Sequence, residues 1–209
     1  MKMTITKIER QQKNDKRCSI YIDGAFAFGL SEADVLYYKL SEQSTISETQ
    51  LDHIVNEVIF EKARDKAFRY IGYKARTKAE TVRKLTEEGY PETVIDRVMQ
   101  LLARYGYIDD EKYAMAYVKE RLATKAHGPL RIKQELLEKG IDSATAAKVL
   151  TAHPADEGAM ARAHLEKKTR GQTKMDEKER RRCYDYLLRR GFSAETARQA
   201  LKDYLAMDI

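Results

Sequence analysis

The strongest constraint in this 209-residue sequence is a block that occurs three times at a fixed interval. "LTEEGYPETVIDRVM" starts at Leu85, "LLEKGIDSATAAKVL" at Leu136 and "LLRRGFSAETARQAL" at Leu187. Their glycines, Gly89, Gly140 and Gly191, are separated by two equal steps of 51 residues, with no gap inside the block. Self-similarity of this kind governs the choice of fold before any other feature. In each copy the glycine follows a helical pattern and takes the position just past its end (C′), where a left-handed backbone costs glycine nothing. Leu85, Leu136 and Leu187 then fall three residues inside the helix end (C3). Tyr90, Ile141 and Phe192 fall just after the glycine (C″), and a Schellman turn brings these two apolar positions together. Another helix starts at once, with Asp142 and Ser193 as N-caps and Pro91 in a first-turn position. It is expected to bury Ile95, Val98 and Met99 in the first copy, Ala146, Val149 and Leu150 in the second, and Ala197, Ala200 and Leu201 in the third.

Each pair of helices has a third before it. In the second copy that helix follows "YGYIDD", capped by Asp109 or Asp110, and Gly128-Pro129 ends it, with Pro129 opening the next helix. In the third copy it begins near Asp156, and the polar stretch "RGQTKMD" leads into the basic helix "EKERRRCYDYLLRR". In the first copy an apolar face runs from Leu51 through Ala67 to Ile71, as one long helix or two end to end. Ser47 with Gln50 and Thr77 with Glu80 read as capping boxes. The first 30 residues alternate as strands, with Asp23-Gly24 as a hairpin turn, and Ser31 with Asp34 opens a short helix. A β unit of this size is marginal alone and is expected to dock on its neighbour. The fold class is mainly α: an elongated array of three tandem three-helix repeats with a small β-rich N-terminal domain. The expected divisions are 1–46 for the β-rich domain and 47–105, 106–152 and 153–209 for the repeats.

Charge is uneven. Residues 1–60 hold seven Lys/Arg and nine Asp/Glu, whereas 61–209 hold 32 and 24, so the repeats carry the whole excess of +8. A polyanionic partner or a merely solvated helical surface accounts for it equally well. No apolar run suits a membrane span, the N-terminus has no signal-peptide core, and Cys18 and Cys183 form no CxxC, so a reducing cytoplasm is the expected home. Motifs of nucleotide binding, serine hydrolysis and zinc proteolysis are missing, and the four histidines share no metal-ligand spacing, so neither catalysis, a cofactor nor a metal is expected. The Asp109-Asp110 pair reads as a helix cap, not an ion site. Helix–glycine–helix resembles a DNA-reading motif, but the turns that would meet base edges read "PETVID", "DSATAA" and "SAETAR", which are acidic or small. The cations lie elsewhere. Residues 167–190 alone hold ten basic and four acidic side chains, which suits phosphate contact without sequence reading. Tyr70, Tyr73, Tyr105, Tyr107, Tyr113 and Tyr117 read as core residues at repeat junctions in preference to base-stacking platforms.

"GYIDDEKYAMAYVKERL" followed by "GPLRIKQELLEKGI" closely resembles the middle of the RecX family, bacterial regulators of the recombinase RecA, and "YLLRRGFSAETARQAL" resembles its C-terminal repeat. The likeness covers about residues 62–205. The first repeat departs most, with Thr77 where serine is expected and Thr81 where an apolar residue is. The resemblance implies a non-enzymatic protein that binds RecA on single-stranded DNA, lying in the groove of the filament. There it restrains the ATPase, strand exchange and co-protease activities. It implies as partners the RecA filament and single-stranded DNA, directly or through the filament, and a monomeric, cytoplasmic regulator with no membrane association. The cations expected to meet RecA or DNA phosphates are Arg121, Lys125, Arg131, Lys133, Lys167, Lys168, Arg170, Arg180, Arg181 and Arg182. Arg121, Arg131 and Lys133 are expected to point to solvent, so that replacing them changes stability little. Two other readings are a general nucleic-acid-binding helical-repeat protein and a protein-binding scaffold without nucleic acid.

Overall fold

Alternating apolar residues at the start of the chain produce three antiparallel strands, β1 (Lys2–Gln11), β2 (Asn14–Ile22) and β3 (Ala25–Ser31). The structure, a computed structural model, describes residues 2–11 and 14–206, with the backbone alone at Asn14, Asp15 and Lys125. Asp23 and Gly24 both take positive φ, 49° and 84°, and close the β2–β3 hairpin with Ile22 opposite Ala25. Such a turn matches the twist of its strands. A fourth strand, β4 (Thr45–Ser47), pairs with β1 and completes the order β3-β2-β1-β4. At three residues it is too short for an alternation signal. Between β3 and β4, helix α1 (Glu32–Tyr37) opens with the reciprocal Ser31–Asp34 capping box.

The first repeat begins in a continuous helical run: α2 (Glu48–His53), a π-helical turn (Ile54–Ile59) and α3 (Phe60–Tyr73). The Ser47 hydroxyl accepts from the N–H of Gln50, but the Gln50 side chain donates to the carbonyl of Tyr38, so only half of the expected box forms. α4 (Lys78–Glu87) and α5 (Glu92–Arg104) follow. Thr77 and Glu80 cap α4 reciprocally, and Thr81, fully buried, satisfies its hydroxyl on the Thr77 carbonyl at 2.9 Å. Both threonines that depart from the family pattern are thus accommodated by hydrogen bonds. Pro91 sits at the N-cap, one residue before the expected first turn, and its carbonyl accepts from Val94 and Ile95.

The chain forms two compact units, Met1–Asp109 and Asp110–Ile209. In the first, sheet and helices share one core, with Ile5, Ile20 and Phe28 joined to Ile54, Ala63, Leu85 and Val98. The second holds α6 (Asp110–Lys125), α7 (Pro129–Glu138), α8 (Ser143–Ala152), α9 (Glu157–Thr169), α10 (Glu177–Arg189) and α11 (Ala194–Leu205). It has a core for each triplet: Val118, Ile132 and Leu136 lead one, Leu165, Leu187 and Phe192 the other. Leu150 and Leu201 are only half-buried, unlike the other third-helix residues expected inside; Tyr204 fills the third triplet's core instead.

The glycine turns have the predicted geometry in all three copies. Gly89, Gly140 and Gly191 have φ of 76°, 80° and 89°. The N–H groups of Tyr90, Ile141 and Phe192 reach back to the carbonyls of Leu85, Leu136 and Leu187 at 3.0–3.2 Å. All six of those side chains are buried. A fourth turn of the same kind, at Gly106 after α5, was not anticipated; there the N–H of Tyr107 reaches the carbonyl of Leu102.

Two of these turns also join one element to another. In the first unit Arg17 of β2 stacks on the Tyr90 ring at 4.9 Å and donates to the Gly29 carbonyl at 3.0 Å. In the second unit the turn at Gly191 lies directly against Gly128, the residue before α7. The N–H of Gly128 donates to the Arg190 carbonyl at 2.9 Å and that of Leu130 to the Gly191 carbonyl at 3.1 Å. Carbonyls left over at the end of α10 thereby satisfy N–H groups left over at the start of α7. This explains an asymmetry among the repeats: Thr77 and Asp176 cap α4 and α10 with side chains, whereas Gly128 has none. A Cβ on Gly128 would lie 2.3 Å from the Gly191 carbonyl carbon, and one on Gly191 would lie 2.3 Å from the Cβ of Arg131.

These contacts rank two identical substitutions. At Gly89 a new Cβ meets only the flexible end of Gln11, at 3.1 Å, so Gly89→Ala should cost about 1 kcal/mol for its left-handed backbone. At Gly191 backbone must move as well, and Gly191→Ala should cost about 3 kcal/mol or more. Urea titrations of both variants test the ranking; equal losses would contradict the close approach of Gly128 and Gly191.

Candidate functional site

The middle-repeat cations converge on one carboxylate. Glu135 of α7 accepts at Oε2 from Arg121 Nε and the Tyr117 hydroxyl, both at 2.9 Å, and at Oε1 from Arg131 Nε at 3.1 Å. His127 Nδ1 stands 3.4 Å from the same Oε1. The Tyr117 oxygen in turn accepts from Arg121 Nη2 at 2.7 Å, and the guanidinium lies over the Tyr117 ring at 4.4 Å. Arg131 also donates to the Arg189 carbonyl at the end of α10. Burial alone would push the Glu135 carboxyl up, but hydrogen bonds from Arg131, Tyr117 and Arg121 outweigh it and hold the pKa at about 2.

This corrects the expectation that Arg121 and Arg131 point freely to solvent. The Arg121 side chain is only 17 % exposed, and Arg131, at 43 %, is tethered at both ends of its guanidinium. Sequence reasoning assigned both by residue type and did not see that Glu135, four residues after Arg131, gathers them from two helices. Lys133 is half-buried on α7, and the side chain of Lys125 lies outside the described residues.

The third-repeat cations are different. Lys167 and Lys168 lie in the last turn of α9, where positive charge favours the helix dipole. Arg170 closes that helix with φ of 57°. Arg180, Arg181 and Arg182 follow the acidic first turn of α10. All six are exposed. Lys168 stacks on Tyr186 at 4.8 Å, Arg180 Nε donates to the Met175 carbonyl, and Lys168 and Arg182 line one cleft with Glu179 and Cys183. Among the described residues, Lys167, Arg181 and Arg182 form no ion pair. This cluster, unlike the Glu135 group, is not gathered on a carboxylate among the described residues.

The tyrosines follow expectation only in part. Tyr113 and Tyr117, half-buried, pack against the core of the middle triplet, whereas Tyr70 is half-buried outside a core and Tyr73, Tyr105 and Tyr107 are exposed. Tyr73 ends α3, while Tyr105 and Tyr107 flank the unanticipated turn at Gly106; in these places a ring lies beside its helix end and not beneath it. Tyr70 and Tyr73 line a cleft with Lys66, Arg69 and Arg76 that the sequence reading missed. The signal was present in a run of nine Lys/Arg against two Asp/Glu across residues 62–84. Among the described residues no three His, Cys, Asp or Glu side chains gather as a metal site, and no helix is long and apolar enough to cross a membrane.

Comparison with known proteins bears on the whole chain. Family models match the RecX N-terminal domain over residues 3–47 and the first, second and third RecX three-helix domains over 63–102, 109–150 and 155–201. The regulatory protein RecX of Clostridium acetobutylicum is 31% identical over 206 residues, covering 96% of this chain and 95% of that protein. That of Clostridioides difficile is 28% identical, covering 98% and 97%. A crystal structure of a regulatory protein RecX matches 96% of this chain and 99% of its own at 28% identity with a TM-score of 0.65. RecX from Lactobacillus salivarius matches 72% of this chain and 98% of its own at 26% identity with the same score.

The Glu135 group makes stability depend on pH. Its folded pKa is below the unfolded value near 4.5, so its contribution is complete above about pH 5 and is lost as pH falls towards 2. Solvent screening reduces it to on the order of 1–2 kcal/mol. Glu135→Gln should therefore melt earlier than the parent at pH 7, and the gap should close progressively between pH 5 and 2. Thermal melts across that range check this; a constant gap would contradict the network.

Proposed function

Because this chain belongs to the RecX family of regulatory proteins, we propose that it binds RecA assembled on single-stranded DNA and restrains the ATPase, strand exchange and co-protease activities of the filament. The observation that carries this reading is the exposed cluster Lys167, Lys168, Arg170, Arg180, Arg181 and Arg182, none of which forms an ion pair among the described residues. Such cations retain their hydration and charge until an anionic surface replaces them, so they favour attraction to phosphate or acidic protein over internal stability. In this reading the protein acts by occupancy, as a cytoplasmic monomer without cofactor or catalytic chemistry of its own. Lys133 extends the contact from the middle repeat, whereas Arg121 and Arg131 serve the contact indirectly by fixing α6, α7 and the end of α10 on Glu135.

The test replaces side chains that form no ion pair among the described residues. Lys167→Glu, Arg181→Glu, Arg182→Glu should melt like the parent, because none of the three is held by an ion pair. In an ATPase assay of RecA on single-stranded DNA at moderate salt, the variant should need about tenfold or more protein for half-inhibition, as repulsion replaces attraction. Unchanged inhibition by the folded variant would contradict a role for this cluster. Strong binding to naked DNA without any inhibition would favour a general nucleic-acid-binding protein instead.

A further inference from the structure

The cleft in the first unit has a construction of its own. Lys66, Arg69, Tyr70 and Tyr73 recur on α3 at the three- and four-residue spacing that shares a face, and Arg76 joins them from just beyond the helix. They enclose an open space of about 330 Å³ with no carboxylate among the lining residues. Lys66 shares Glu88 with Lys84, at 2.7 and 2.8 Å, while neither arginine forms an ion pair among the described residues. Arg69 gives its Nε to the Asp65 carbonyl, leaving its outer nitrogens for another acceptor. Arg76 stacks its guanidinium on the Tyr70 ring at 4.4 Å, and its buried Nε finds no acceptor among the described residues. A buried donor without an acceptor is costly, and an anionic oxygen entering the cleft would relieve that cost. Tyr73, meanwhile, is 89 % exposed. A ring that bare adds little to folding and offers a flat π surface at the mouth of a cationic cleft.

Charge alone suits any polyanion, and Tyr73 decides among them. An acidic peptide supplies carboxylates but makes no use of a bare ring, whereas single-stranded nucleic acid repeats an anion and a flat base in every unit. We infer that this cleft binds single-stranded nucleic acid, one base stacking on Tyr73 while the adjoining phosphate is held by Arg69 and Arg76. A duplex hides its base faces within the stack, so the site selects single strands. All of these residues belong to the first unit, while the cations of the preceding section belong to the second, and the inference does not depend on RecA being the partner.

Fluorescence anisotropy separates stacking from charge. The full-length protein is titrated into a labelled oligothymidylate and, separately, into an abasic strand of the same length. Tyr73→Ala should weaken thymidylate binding about tenfold and leave abasic binding unchanged, while Tyr73→Phe keeps the parent affinity for both. Arg69→Gln should weaken both strands alike. Circular dichroism melts of each variant control for folding, which the exposure of both side chains protects. Thymidylate binding unaffected by Tyr73→Ala would overturn the inference, as would an equal loss on the abasic strand. Parent affinity for an acidic peptide as high as for thymidylate would also overturn it, and would make the cleft a protein-docking surface. RecA is absent from this assay, so its outcome is distinct from that of the ATPase test.

Discussion

A helix that stops in a left-handed glycine leaves a particular arrangement behind: carbonyls directed outwards, an apolar residue folded back onto the last turn, and a chain ready to begin again. The second unit depends on this arrangement. The turn at Gly191 closes α10, lodges Phe192 against Leu187, and presents the Arg190 and Gly191 carbonyls to the start of α7. α7 has no side-chain cap and takes its hydrogen bonds from the next repeat. The contact needs two bare backbones at one point, because a Cβ on either glycine would meet the other strand of chain at 2.3 Å. Arg131 crosses the same point, joining Glu135 to the Arg189 carbonyl. The middle repeat is therefore completed by its successor. The first repeat uses its own turn differently, with Arg17 of the sheet stacked on Tyr90.

The distribution of cations follows from this construction. Arg121 and Arg131 are bound to a carboxylate whose pKa their hydrogen bonds depress, and they serve to hold helices in register. Among the described residues Lys167, Arg181 and Arg182 have no such carboxylate partner. The proposed action, by occupying another surface, would draw on both kinds: a rigid frame, and side chains whose charge is unspent. Charge counts alone do not distinguish the two, because an arginine neutralised inside the fold and one waiting for a partner look alike in composition.

Much of the fold was legible in the sequence because the signals are local. A glycine at C′, an apolar C3–C″ pair, an N-cap and a Pro at the first turn all lie within a few residues of each other, and the 51-residue step made each copy support the others. What escaped notice depends on distant residues. Strand β4 pairs beside β1 with Ile46 buried in the first unit's core, and Gln50 leaves its box for a carbonyl twelve residues back. The site was less legible still. The exposure of Tyr73 and the capture of Arg121 by Glu135 depend on how helices end and meet, which hydropathy does not encode. The acid-poor run of cations around the end of α3 was visible as composition, but only the structure sets it around a bare ring.

The α10-to-α7 junction joins the second and third triplets into one cooperative body. Native-state hydrogen exchange at Gly128 and Leu130 addresses it directly, because their N–H groups are the two donated across that junction. In one cooperative body, both amides exchange only through the opening that also releases the core amides of α10 and α11, with the same free energy and denaturant dependence. Exchange of Gly128 and Leu130 through a separate, low-energy opening, while Leu187 and Tyr204 stay protected, would contradict it.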